Sequence, residues 1–298
     1  MRIRHLGTAV AAVALALSAA ACGDAGGGTS TEPENDYAIA ENPSFPEGSR
    51  MAELAESGTI RIGVKVDQPG IGFQPAGADR PIGFDPEMGK IMAASLGLEP
   101  GDIQFVQTVS DQREPFLQSG EVDLVIASYS ITDDRREVVG QAGPYYLTGQ
   151  QLLVPSDSDI SSLADVEGTE VCSVTGSTSL SNIEEEGATP RGFSTYSECV
   201  DQVLNGALPA MTTDGAILLG YAADNPDDLK VVVEPFSEER YGIGYPQENP
   251  EMCQWINDTL TQAYDSGEWA TAFESTLGQS GVETPQPPQL DDCSENQG

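Results

Sequence analysis

Residues 127–139, ASYSITDDRREVV, set two hydroxyl side chains, Ser128 and Ser130, ahead of two adjacent arginines, Arg135 and Arg136. The apolar run VDLVIA precedes them and reads as a buried strand, so the segment is a strand-to-helix junction. Thr132 suits the N-cap of a short helix, with Asp133 and Asp134 in its first turn. Hydroxyls, free backbone groups and a guanidinium gathered at the carboxyl end of a strand suit the capture of an anion. An arginine there holds a carboxylate through two parallel hydrogen bonds. The rival reading pairs both arginines with neighbouring acids such as Glu137.

Cations are scarce in this chain: 13 Lys plus Arg stand against 48 Asp plus Glu, for a formal net charge of −35. So acidic a surface repels polyanions, which argues against nucleic acid as a partner. The single histidine, His5, lies in the amino-terminal segment. A mature chain without it has no Ser-His-Asp or Cys-His nucleophile and no histidine-ligated metal. No cysteine pair has metal-ligand spacing, so neither a metal nor a cofactor is expected.

The first 21 residues, with a basic start and a short apolar run, read as a secretory signal peptide. Small residues before Cys22 match a lipobox except for Ala19, where leucine is usual, so Cys22 is the expected lipidation site. The alternative is an ordinary signal peptide with a free Cys22. Residues 22–49 are rich in Gly, Ser, Thr, Pro and acids and read as a flexible tether. Residues 283–298 resemble them apart from Cys293.

Between these ends, strand and helix patterns alternate, which predicts an open α/β sheet. TIRIGVKV, IQFVQT and VDLVIAS read as strands; FDPEMGKIMAASLG and DQREPFLQSG read as helices. The alternation restarts with GTEVCSV, SLSNIEEEG, GFSTY, SECVDQVLNG, LPAMTT, DGAILLGYAADN and LKVVV, which implies a second α/β lobe. A last strand, RYGIGY, and two helices carry Trp255, Leu260, Trp269 and Phe273 at packing intervals. Setting Cys22 aside leaves four cysteines, an even number that suggests two disulfides in an exported chain. Cys172 lies in a strand of the second lobe and Cys199 in a helix after the next strand, so the expected pairs are Cys172–Cys199 and Cys253–Cys293.

The segments GFDPEMGK, SGEVDLVIASYSITDDRREVVGQAGPYY and GSTS, in this order, resemble the bacterial extracellular solute-binding proteins for polar amino acids. The resemblance implies a two-lobed, periplasmic-binding-protein-like fold of type II, with two α/β lobes joined by two crossover strands. Here these fall near residues 148–154 and 235–242. Residues 50–150 plus 236–282 then form lobe 1 and residues 151–235 lobe 2.

It also implies roles. Arg135 grips the ligand's α-carboxylate, Ser128 and Ser130 bind its α-amino and α-carboxylate groups, and Thr178 adds a backbone N–H and a hydroxyl. Asp214 receives the α-ammonium, while Arg136 has no such role and is expected at the surface. Members that bind acidic amino acids are similar to this chain at Ser110 and Arg113, which would hold a distal carboxylate, and at Lys65. The rival for Arg113 is a salt bridge to Glu114 or Glu87. Phe73, in DQPGIGF, would wall the ligand's aliphatic part, or simply pack in the core behind a turn.

These roles make the chain a monomeric, lipid-anchored receptor on the outer face of the cytoplasmic membrane. It would capture glutamate or aspartate for an ABC permease. Glutamine is the alternative ligand, an amino-acid sensor subunit the alternative use, and a lyase or dehydratase on the same fold the less favoured class.

Overall fold

The computed structural model describes residues 35–296. Their architecture is built on two five-stranded mixed sheets. A first helix, α1 (Arg50–Ser57), is capped by Ser49 and ends at Gly58 in the left-handed region. Strands β1 (Ile60–Val64), β4 (Ile103–Gln107) and β5 (Leu124–Val125) run parallel, with β1 in the middle. The hairpin β2 (Asp67–Gln68) and β3 (Gly72–Phe73) leaves the carboxyl end of β1, followed by α2 (Phe84–Ser95). Helix α3 (Arg113–Ser119) joins β4 to β5, and a single turn, α4 (Asp133–Arg136), follows β5.

The chain then runs through β6 (Gly140–Thr148) and, after Gly149 alone, β7 (Gln150–Pro155). β6 belongs to the first sheet and β7 to the second, whose order is β11-β7-β10-β8-β9. Its members alternate with helices: β8 (Glu170–Val174), α5 (Thr178–Glu185), β9 (Thr189–Phe193), α6 (Tyr196–Leu204), β10 (Ala210–Asp214), α7 (Gly215–Asp224) and β11 (Leu229–Val232). β12 (Glu239–Tyr245) returns to the first sheet, antiparallel between β5 and β6. The strands β8, β9 and β10 are parallel, as right-handed βαβ units require, so their carboxyl ends share one edge. Helices α8 (Glu251–Ser266) and α9 (Glu268–Ser275) close the first half, where the rings of Phe84, Tyr145, Tyr146, Tyr241, Trp269 and Phe273 pack into one aromatic cluster.

Three local patterns depart from expectation. VDLVIAS forms only a two-residue strand, because after Val125 the backbone turns to Ser128 at φ +43°. Helix α2 is buried on every side, and its ion pair, Glu87–Lys90 at 2.8 Å, lies inside. The reason lies in residues 35–49, read above as a tether. Asn35 and Tyr37 donate to Glu87, and Ala40 N–H donates to Ala94 O, so this segment covers α2. The carboxyl tail is docked likewise: Cys253 is joined to Cys293, and Asp291 N–H donates to Gly143 O at 2.7 Å. Cys172 is joined to Cys199, with Cα atoms 5.8 Å apart, tying β8 to α6. Cys22 lies outside the described residues. Among the described residues, no helix is long and apolar enough to cross a membrane.

Candidate functional site

The carboxyl ends of β5 and β10 and the amino end of α5 meet at a narrow cleft between the two sheets. Six of the residues singled out in the sequence line it: Arg113, Ser128, Ser130, Arg135, Thr178 and Asp214. Ser177, Ser179 and Tyr196 join them. The two serines lay within the quoted GSTS. Tyr196 had no signal beyond its place just after Thr195, which caps α6.

Arg113 is 2% exposed and is held by carbonyls. It donates to Ser110 O at 3.0 Å, to Ala127 O and Ser128 O at 3.3 and 3.2 Å, and across the cleft to Gly176 O at 3.0 Å. No carboxylate among the described residues lies within ion-pair distance of it, which removes the salt bridges to Glu114 and Glu87. Glu114 instead accepts from Tyr129 and pairs with Arg135 Nε at 3.3 Å, while Glu87 pairs with Lys90.

Arg135 Nη1 donates to Ser130 O at 2.6 Å and Nη2 to Gly176 O at 3.0 Å. Both guanidiniums rest on the Tyr129 ring, 4.5 and 4.9 Å from its centre. Burial, and then the neighbouring Arg113 charge, pushes Arg135 down to about 10. Lys65 is buried just behind, not in the cleft lining, and donates to Ser110 Oγ at 2.7 Å. Burial, then Arg113, pushes it down to about 7.

The acids answer these cations. Asp214 ends β10 and accepts from Tyr241 OH at 2.6 Å; burial, then Glu239, pushes it up to about 7. Asp85, at the start of α2, accepts from Ser128 N–H at 2.8 Å and Tyr145 OH at 2.5 Å, and so holds Ser128 in its left-handed turn. Thr178 Oγ1 donates to Glu239 at 3.0 Å, which fastens the amino end of α5 to β12. Gln68, unnoticed in the sequence, is fully buried and donates to Ser128 Oγ, while its Oε1 has no partner among the described residues.

Two expectations are corrected. Phe73 is half-buried beside a separate hollow lined by Pro69, Val200 and Tyr221, because the β2–β3 hairpin turns it away from Ser128. Arg136 is not a surface residue: it is 9% exposed and pairs with Asp291 of the tail at 2.6 Å. Among the described residues no group of acids, cysteines or histidines could hold a metal.

The cleft lies between two α/β halves, with cations on one wall and a buried acid on the other, and the two-lobed fold is that of the type II amino-acid-binding receptors. The chain belongs to the bacterial extracellular solute-binding proteins, family 3, whose model matches residues 60–279. It is therefore an exported protein. It is 37% identical over 246 residues to glutamate-binding protein GluB of Corynebacterium efficiens, covering 78% of this chain and 83% of that protein. It is 30% identical over 236 residues to the ABC transporter glutamine-binding protein GlnH of Bacillus subtilis, covering 78% and 86%. Among solved structures it is similar to an ancestral arginine-binding protein bound to glutamine, at 33% identity and a TM-score of 0.69 over 74% of this chain and 98% of that one. The two curated relatives are binding proteins by name.

Proposed function

We propose that this protein is the receptor of an ABC importer, that its ligand is an acidic amino acid, glutamate first, and that it binds without turnover. The observation that carries the ligand class is the pair of buried cations, Lys65 and Arg113, which have no carboxylate within ion-pair distance among the described residues. Burying unpaired charge costs several kcal/mol per ion, which a ligand carboxylate offsets. In this reading Arg135 takes the α-carboxylate, with Ser130 and Thr178 beside it. Asp214 takes the α-ammonium, and Arg113 with Lys65 and Ser110 takes the distal carboxylate. Arg135 lies in the turn after β5 of the first sheet and Asp214 ends β10 of the second, so one zwitterion bridges the two halves and favours the closed arrangement. The name of the GluB relative agrees with this ligand.

A lipid on Cys22 would hold the receptor at the outer face of the membrane, near its permease. Calorimetric titration of the mature protein with glutamate, aspartate and glutamine tests the ligand. Tight binding of glutamate or aspartate over glutamine supports the reading, whereas a preference for glutamine moves the chain to the chemistry named for the Bacillus relative. Conversion of the bound amino acid would contradict the non-enzyme reading, in which Asp214 is already engaged by the ammonium.

A further inference from the structure

Helix α4 is a single turn, and one turn fixes several backbone dihedrals for little hydrogen bonding. It therefore needs outside support to keep Arg135 at the cleft. Thr132 caps its start, and further support comes from the carboxyl tail. Asp291 Oδ2 pairs with Arg136, the neighbour of Arg135, at 2.6 Å. Its Oδ1 pairs with Arg240, whose carbonyl accepts Ile131 N–H at 2.8 Å. One carboxylate thus holds residues 131–136 from both ends. Arg240 also precedes Tyr241, the hydroxyl donor to Asp214.

Asp291 is itself fixed. Its N–H binds Gly143 O, its carbonyl accepts from Asn257 at 2.9 Å, and two residues on Cys293 is bonded to Cys253 of α8. In a chain with 13 basic residues against 48 acids, two of the scarce cations converge on this one carboxylate.

We infer that Asp291 is a positioning residue of the ligand site: through Arg136 and Arg240, the disulfide-anchored tail sets the place of Arg135. The inference rests on the proposed role of Arg135 at the α-carboxylate. Since every amino acid brings that group, loss of Asp291 weakens all ligands by one factor and leaves selectivity unchanged. A residue that merely stabilised the fold would lower the melting temperature and leave the Kd of the folded protein alone.

The test is calorimetric titration of Asp291→Asn with glutamate and glutamine, well below its melting transition. A Kd raised at least about tenfold for both ligands, with Asp291→Glu and the surface control Asp292→Asn near wild type, is the expected result. An unchanged Kd in Asp291→Asn overturns the inference. Should that variant not fold, Arg240→Gln removes one arm alone; an equal loss of about threefold for both ligands is expected, and no loss overturns the inference. Hydrogen exchange separates this question from the ligand assignment. Amides of residues 132–139 should exchange at least about tenfold faster in Asp291→Asn while those of α8 hold, whatever the wild type binds. Equal exchange in those amides overturns the inference even if glutamate binds tightly.

Discussion

Arg113 and Arg135 reach across the cleft to the same atom: each donates to the carbonyl oxygen of Gly176 at 3.0 Å. Two guanidiniums of like charge share one acceptor and one aromatic face, that of Tyr129. Gly176 presents this oxygen because its φ is +82° and its Cα passes close to Asp111. A Cβ there would lie 2.8 Å from the Asp111 backbone.

Gly176→Ala is therefore expected to disturb the cleft without touching the charges. A residue forced into that conformation costs about 1–3 kcal/mol. If that strain falls on the closed form, affinity drops by about tenfold or more for every ligand. Titration together with small-angle scattering, with and without ligand, reads it; an alanine variant that binds and closes like wild type would show that the strain at residue 176 does not fall on the closed form.

The two arginines should separate by ligand. Arg135→Ala removes the partner of a group common to all amino acids and should abolish binding generally. Arg113→Ala should weaken glutamate by about 2–5 kcal/mol, the usual cost of stranding a buried charge. Its effect on glutamine should be smaller, about 1–3 kcal/mol for an unpaired neutral group. Equal losses for both ligands in Arg113→Ala would remove Arg113 from the distal carboxylate.

Much of this site was legible in the sequence because it sits where strands end. Ser128, Ser130, Arg135 and Asp214 all follow strand patterns, and in an open α/β sheet such ends converge. What the sequence hid were contacts made by residues distant along the chain. Asp291 reaches Arg136 across 155 residues, and Tyr37 reaches Glu87 across 50, from segments whose composition reads as solvated. Composition reports the average need for water, not the one carboxylate or phenol that satisfies a buried ion. Phe73 lies away from the cleft for a related reason: a turn of DQPGIG fixes a reversal but not which way the next side chain leaves.

The disulfide between Cys172 and Cys199 closes a loop 27 residues apart in the chain. Chain-entropy arguments give such a link about 3–4 kcal/mol. The double variant Cys172→Ser/Cys199→Ser should lose about this much in denaturant unfolding, with a higher m-value because the uncross-linked unfolded chain exposes more surface, and should keep its ligand preference, since neither residue lines the cleft. A loss well under 1 kcal/mol would mean that the unfolded chain is already constrained there.

The pH dependence of binding follows from two buried groups on opposite walls. Burial, then the Arg113 charge, holds Lys65 down at about 7, and burial, then Glu239, holds Asp214 up at about 7. In the free protein, Lys65 binds fewer protons than in the unfolded chain between about pH 7 and its ordinary 10.5, so its contribution to stability rises with pH there. Asp214 binds more protons folded than unfolded between its ordinary 3.8 and about 7, so its contribution falls as pH rises there. Asp85, also pushed up to about 7 by burial, acts in the same sense as Asp214. A ligand carboxylate near Lys65 favours the ammonium, so binding takes up a proton above about pH 7. A ligand ammonium at Asp214 favours the carboxylate, so binding releases a proton below about pH 7. Glutamate affinity should therefore peak near neutrality and fall on both sides, by no more than about tenfold per pH unit on either limb. Lys65→Met should lower the affinity and flatten the alkaline limb while the acid limb stays. Titration from about pH 5.5 to 9, in buffers of different ionisation enthalpy, counts the protons directly. An affinity flat across that range would mean that neither Lys65 nor Asp214 changes its charge when the ligand binds.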